Sequence, residues 1–457
     1  MSQQPTTTTS SRDQFRSRIG FIFAAAGSAV GLGNIWRFPY LAGVHGGGAF
    51  VIVYLLSVLI IGFSLMLMEF ALGRNTSLAA VGAFRTLNKK FTFVGIMGVL
   101  AGFLIMGFYP VVGGWSLSYI FKTITGELAV TDPDTLTGVF MGLITGTWAP
   151  IFWTAIYMIL NIVIVAGGIG NGIEKASKVM MPALFVLLVI LVVRSVTLPG
   201  AGEGLAFLFA PDWSKLSGGL VLAAMGQAFF SLSLGMGCMI TYSSYLSKNE
   251  NLVSNAFIIP GMDTLVALLA GLVIVPSAVA LGFEVGSGAG LAFITVPAIF
   301  ATMGPVVGKF FGIVFFTLLA LAALTSSISL LEVVVSYLID EKNMSRKNAV
   351  GITSVILFIM CIAASLSMGP WSGFTILGNN IFDFFDKTTS LILLPLGGMF
   401  ISIFIGWFWG KDKAFKEVTN DGTVKFSLFN TWFFLCRWII PIIIFIVFIT
   451  GISSFPG

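Results

Sequence analysis

The chain has 457 residues, 57% of them apolar and only 9% charged, whereas a soluble domain carries roughly a quarter charged residues. The net charge of +5 includes no basic cluster alternating with aromatics, which argues against nucleic-acid binding. Cys238, Cys361 and Cys436 each sit in an apolar run with neither metal-ligand spacing nor a disulfide framework, and the lone His45, beside Gly46, Gly47 and Gly48, reads as a satisfied or solvated junction residue; nothing here builds a catalytic set, so an enzyme is not expected.

Residues 1–18 form a polar, basic arm with Arg12, Arg16 and Arg18. It lacks the short apolar core and small-residue cleavage site of a removable signal peptide. After it, long apolar runs separated by polar loops predict an all-α integral membrane protein, since a helix of about 20 apolar residues crosses lipid with its backbone polar groups satisfied internally. Eleven spans are expected, numbered in chain order, near 19–42, 48–72, 93–122, 148–167, 174–198, 217–246, 254–282, 309–339, 349–367, 374–409 and 430–452. The tenth is long for one crossing and is expected to be tilted, kinked or partly outside the membrane. The apolar stretch 289–306, interrupted by Pro297, Gly304 and Pro305, reads as a re-entrant or lid segment. Arg74, Arg85, Lys89, Lys90, Lys342, Arg346, Lys347, Lys411, Lys413 and Lys416 join the arm on one side. The opposite loops hold Glu127, Asp132, Asp134, Glu203 and Asp212. That asymmetry predicts an amino terminus inside and a carboxyl terminus outside.

Spans 1 and 6 each contain paired glycines inside an apolar run: SAVGLGNIWRFP at Ser28 to Pro39, and FFSLSLGMG at Phe229 to Gly237. Glycine weakens a helix interior by about 1 kcal/mol relative to alanine, and Ser or Asn beside it favours local unwinding. At about 1.5 Å per residue, the first break lies roughly 15–20 Å deep, near the bilayer midplane. Spans 1 and 6 are five apart, so the breaks match two five-helix inverted repeats, 19–198 and 217–409, with 430–452 as an additional helix. Unwound backbone at that depth requires a protein-lined or wet cavity, where freed amides hold an anion and freed carbonyls a cation. An amino acid together with sodium supplies both.

At these residues the sequence resembles the neurotransmitter:sodium symporter family, especially its bacterial amino-acid transporters, from about Arg12 to the carboxyl end. GSAVGLGNIWRFPYL followed by HGGGAF carries the resemblance, with His45 where Asn is usual; SLSLGMG, LTSSIS at Leu324 to Ser329, and Tyr109 before Trp115 support it. Broken helices are a feature of that family, so breaks and resemblance are not independent arguments. The resemblance implies import in a bacterial inner membrane, with two sodium ions. The first would be held by the Ala29 carbonyl, Asn34, Ser231 and Asp263, the last replacing a usual Asn. The second would be held by the carbonyls of Gly27, Val30 and Ala322 with the hydroxyls of Thr325 and Ser326. The amides of Leu32 and Gly33 and the Tyr109 hydroxyl would hold the substrate carboxylate. Carbonyls of Ala29, Phe230, Ser231 and Ser233 would hold its ammonium, walled by Ile105, Phe230, Met236, Ser326 and Leu330.

Amine transporters of the family carry an Asp where this chain has Gly31, which implies a substrate with its own carboxylate, a hydrophobic L-amino acid, aliphatic or aromatic. Chloride-dependent relatives carry a Ser where this chain has Ala267, and Asp263 could supply chloride's charge, implying chloride independence. The resemblance also pairs Arg37 with Asp383 as an outer gate and Arg12 with Asp340 as an inner one. Loosening of the arm, and of span 5 between Gly172 and Pro182, would hydrate the second ion site. A non-transporting sensor and a proton-coupled transporter of the same fold stand as alternatives, and the oligomeric state is left open.

Overall fold

The computed structural model describes residues 13–283, 290–453 and 455. Among them regular structure is helical, with no β-strand beyond two isolated bridges. The end of the bundle that carries most Lys and Arg is termed inner, the opposite end outer.

Span 1 begins at Arg18, where the Ser17 hydroxyl accepts a bond from the Gly20 amide and caps the first turn. It runs Arg18–Ala29, breaks, and resumes as Gly33–Val44 at 55° to the first half. Among the described residues nine long apolar helices follow as spans 2 to 5 and 7 to 11: Gly48–Thr76, Lys89–Thr125, Trp148–Ala166, Ile169–Val196, Leu252–Ala280, Pro305–Lys342, Arg346–Leu366, Ile381–Trp409 and Phe429–Ile452. Span 6 is split into Gly218–Ser231 and Cys238–Ser243. The tenth span is shorter than expected because residues 374–380 form a tight turn, closed by backbone bonds of 2.7 and 3.0 Å between Ile376 and Asn379. Span 5 is wound throughout, with a π-turn at Ile169–Glu174 and no interruption at Pro182.

Span 8 packs against spans 1, 3, 4 and 5 and is buried along most of its length. Small residues permit such close approach in a membrane bundle. A Cβ on Gly113 would stand 2.4 Å from the Tyr157 ring, so spans 3 and 4 meet only because it is absent. Around the bundle, Leu59, Ile96, Val163, Val186, Ile359 and Phe445 face outward, as lipid-facing side chains do.

Of the expected lid, Ala289 lies outside the described residues. Leu291–Ala301 forms a short helix, too short to cross lipid. Phe293 anchors it, with ring centroids 4.9 Å from Tyr119, 5.2 Å from Phe140 and 5.9 Å from both Trp36 and Trp115. Further short helices at Ala80–Leu87, Pro133–Ile144, Ala201–Phe209 and Lys411–Val418 lie between spans.

Candidate functional site

The two breaks face each other. In span 6, Ser233, Gly235 and Gly237 adopt φ of 54°, 78° and 78°, the left-handed region that ends a helix. A Cβ on Gly235 would meet the Leu394 carbonyl oxygen at 2.4 Å, so only glycine fits both the angle and the contact with span 10. Two side chains fix the unwound backbone. The Glu69 carboxyl on span 2 accepts from the Gly235 amide at 2.7 Å, and the Ser233 hydroxyl donates to the Ser28 carbonyl at 2.8 Å, tying one break to the other.

Between the breaks lies a cavity of about 40 Å3. It is lined by Ala29, Leu32, Gly33, Ile105, Tyr109, Phe230, Ser231, Ser233, Met236, Ser326 and Leu330, together with Ser28 and Gly31. The structure thus brings together every residue the sequence suggested for the substrate pocket. The Tyr109 hydroxyl sits 3.3 Å from the Leu32 amide that donates to it. Gly31 is the tightest point: a Cβ there would lie 2.6 Å from Ser326 Oγ and 2.8 Å from the Tyr109 hydroxyl.

Beside the cavity, Asn34, Ser231 and Asp263 form a buried cluster. Asn34 Nδ2 donates to Ser231 Oγ at 3.0 Å, to Asp263 Oδ1 at 2.7 Å and to the Asp263 carbonyl at 3.1 Å, and Asn34 Oδ1 accepts from the Gly31 amide. Ser231 Oγ donates to Asp263 Oδ2 at 2.8 Å and Tyr54 reaches the same oxygen at 3.5 Å. On the other side of span 1, Thr325 Oγ1 lies 2.9 Å from the Ala322 carbonyl and 3.3 Å from that of Val30. Ser326 Oγ lies 2.9 Å from the Val30 carbonyl and 3.4 Å from that of Gly27. The second nest presents only hydroxyl and carbonyl oxygens, and the first presents the oxygens of Ser231 and Asp263, with the Asn34 amide turned so that its Nδ2 faces them. No group of three or more His, Cys, Asp and Glu suited to a metal occurs among the described residues. Such oxygen sets suit a hard cation and not a soft one.

Above the cavity, Phe230 separates it from a second, outer one of about 330 Å3, lined among others by Arg37, Phe229, Ser390 and Leu394. The Arg37 guanidinium lies 4.8 Å from the Phe230 ring centroid, within cation–π range. The expected Arg37–Asp383 pair is not formed among the described residues. Asp383 is engaged by Asn380 at the first turn of span 10, donating its amide to Oδ1 and accepting from Nδ2, both at 2.8 Å. The carboxylate whose charge acts on Arg37 is Asp386, three residues further along the same helix. Asp386 was not singled out in the sequence.

Arg12 lies outside the described residues, and Asp340 accepts from the Ala79 amide at 2.9 Å. Nearby, buried Glu332 receives both guanidinium arms of Arg346, at 2.7 and 3.0 Å, and the Tyr245 hydroxyl at 2.8 Å. The arm is fastened as well: Glu174 on span 5 accepts from the Arg16 amide and the Ser17 hydroxyl, at 2.7 and 2.8 Å. Glu69 and Glu332 were missed although a carboxyl inside an apolar span is itself a functional signal. Asp263 entered with the family resemblance, as the residue standing where Asn is usual.

A family model described as the Sodium:neurotransmitter symporter family matches residues 12–136 and 146–457. An uncharacterized sodium-dependent transporter of Haemophilus influenzae is 39% identical over 98% of this chain and 100% of its own length. The uncharacterized sodium-dependent transporter YhdH of Bacillus subtilis is 40% identical over 97% of this chain and 98% of its own. The crystal structure of MhsT in complex with L-phenylalanine superposes with a TM-score of 0.88 at 47% identity, covering 96% of this chain and 100% of that one. With the broken spans, the oxygen nests and these likenesses together, the chain belongs to the sodium:neurotransmitter symporter family and is a sodium-dependent membrane transporter.

Proposed function

We propose that this transporter imports hydrophobic L-amino acids, aliphatic and aromatic, together with two sodium ions and without chloride. The observation that carries the substrate class is Gly31. Gly31 carries no side chain, and a Cβ there would crowd Ser326 Oγ and the Tyr109 hydroxyl, so a substrate amine has no side-chain carboxylate at that place to pair with. A substrate that brings its own carboxylate supplies the missing charge beside Asn34 and Asp263. The cavity walls Ile105, Phe230, Met236 and Leu330 are apolar, and Met236 is adaptable enough to refit. The neighbouring structure of MhsT, which contains L-phenylalanine, agrees with this class.

The first sodium would rest on Ala29, Asn34, Ser231 and Asp263, with the Asn34 amide turned to present its oxygen, and the second on Gly27, Val30, Ala322, Thr325 and Ser326. Chloride independence is supported by Asp263 Oδ2, which already occupies the hydroxyls of Ser231 and Tyr54 that an anion would need, and by Ala267, which offers no hydroxyl. The two repeats would be 19–198 and 217–409, with 430–452 outside them. The chain would lie in a bacterial inner membrane with its amino terminus in the cytoplasm and its carboxyl terminus outside, as its basic end favours. Arg37 with Asp386 would close the outer side, and Arg12 with Asp340 the inner one.

The test is uptake of labelled leucine, phenylalanine and tryptophan into proteoliposomes under an inward sodium gradient, with potassium and chloride-free controls. Accumulation that needs sodium, survives chloride removal and is lost in Asn34→Ala is expected. Binding without accumulation would point to a sensor, and accumulation driven only by a pH gradient would overturn the sodium coupling.

A further inference from the structure

Arg437 stands in span 11, eight residues after Phe429, about 12 Å along the helix at the usual rise. A charge at such depth in a lipid-facing helix is costly unless it is paired or reaches the interface. Among the described residues Arg437 makes no ion pair, and its Nε is buried without a hydrogen-bond partner. It is nevertheless held in place. Its guanidinium carbon lies 4.4 Å from the Trp407 ring centroid and 5.4 Å from that of Trp438, and the two indoles meet edge to face at 4.5 Å. The Trp407 indole nitrogen donates to the Arg437 carbonyl at 3.0 Å.

The backbone is shaped around this group. A Cβ on Gly406 would fall 2.7 Å from the Arg437 Cα, so spans 10 and 11 touch there only because that residue is glycine. Both helices carry a π-turn where they meet, Phe404–Trp409 and Leu435–Ile439. Such turns are local insertions that often mark functional sites. Trp407 and Trp438 remain 48% and 44% exposed, so the guanidinium sits in an open aromatic cradle that faces lipid. Lys411 and Lys413 follow span 10 directly, at the same inner end.

We propose that Arg437, Trp407 and Trp438 form a binding site for an anionic glycerophospholipid of the inner-end leaflet. The guanidinium takes the phosphodiester, which accepts its free N–H groups. The indoles pack on the glycerol and first methylenes, as interfacial tryptophans do. The planar guanidinium fork matches a phosphate's oxygens better than the point charge of a lysine ammonium would, and basic clefts between spans are where anionic head groups bind. The position inside a span, between exposed apolar side chains such as Phe408 and Phe434, selects a lipid over a free phosphate.

Native mass spectrometry of the purified full chain tests this, after delipidation and addition of phosphatidylglycerol or phosphatidylethanolamine. Phosphatidylglycerol should be retained at least fivefold more than phosphatidylethanolamine. Arg437→Gln should lose most of that preference, and Arg437→Lys should keep part of it. Where Arg437→Gln does not fold, the wild-type comparison decides, read also as a rise in melting temperature with phosphatidylglycerol alone. Equal retention of the two lipids, an unchanged preference in a folded Arg437→Gln, or displacement of bound lipid by millimolar inorganic phosphate would overturn the proposal. So would a doubled mass without retained lipid, which would give this face to a second copy of the chain.

Discussion

Gly31 is the residue at which selectivity and packing coincide. Its hydrogen in place of a side chain lets Ser326 and Tyr109 close on the first break, and both of those residues line the cavity. Gly31→Ala places a carbon 2.6 Å from Ser326 Oγ, so the break must open or Ser326 must turn away from the Val30 carbonyl it bonds at 2.9 Å. Because Ser326 belongs both to the cavity and to the second oxygen nest, substrate and sodium binding should weaken together, each by at least tenfold, about 1.4 kcal/mol. Titration calorimetry with leucine at varied sodium checks this; wild-type affinity for both would mean that the break relaxes freely. Much of this site was legible in the sequence, since SAVGLGN, SLSLGMG and LTSSIS are short motifs whose residues converge in the structure. Tyr54 was not, because its hydroxyl reaches Asp263 from span 2 and a contact between residues 209 positions apart leaves no local pattern.

Elements tell a similar story at larger spacing. The span 6 break is visible as paired glycines, but what holds it open is not. Glu69 comes from the inner third of span 2, and one of its oxygens takes the Gly235 amide while the other has no hydrogen-bond partner among the described residues. Removing that acceptor leaves a buried amide unsatisfied, at about 1–3 kcal/mol. Glu69→Ala should therefore lower the melting temperature in detergent and weaken substrate binding. Glu69→Gln, which keeps a carbonyl oxygen for Gly235, should do markedly less, and equal damage from the two substitutions would show that the carboxyl acts by something other than this bond. Span ends were read less well than span interiors. The apolar residues of 371–376 extend the hydrophobic signal of span 10 into what the backbone makes a turn, and Pro133–Ile144 or Lys411–Val418 offer too short an apolar stripe to register as helices at all.

For the whole molecule, the two ends of the bundle are closed to different degrees. At the inner end Glu332 clamps Arg346 and Tyr245 while Glu174 holds the arm. At the outer end a cavity of about 330 Å3 reaches down to Phe230, and Arg37 rests on that ring with no ion pair among the described residues. This is an arrangement tied shut inside and poised to close outside, and it could not be read from the sequence because it depends on which pairs are made at one moment. The inner cavity, about 40 Å3, is well below the roughly 150 Å3 of an engineered cavity that admits benzene. An aromatic substrate must therefore displace Phe230 or Met236. Moving Phe230 frees Arg37 from its ring, and Asp386 is the carboxylate whose charge favours the guanidinium. Closure of the outer side is thus expected to form Arg37–Asp386 as substrate enters, while Asp383 stays with Asn380. Asp386→Asn should slow sodium-driven uptake in proteoliposomes at least tenfold more than Asp383→Asn, with substrate binding at equilibrium affected less than the rate. If Asp383→Asn proves the more damaging substitution, the closing pair is the one the sequence suggested, and span 10 must turn by most of a residue step on closure to present it.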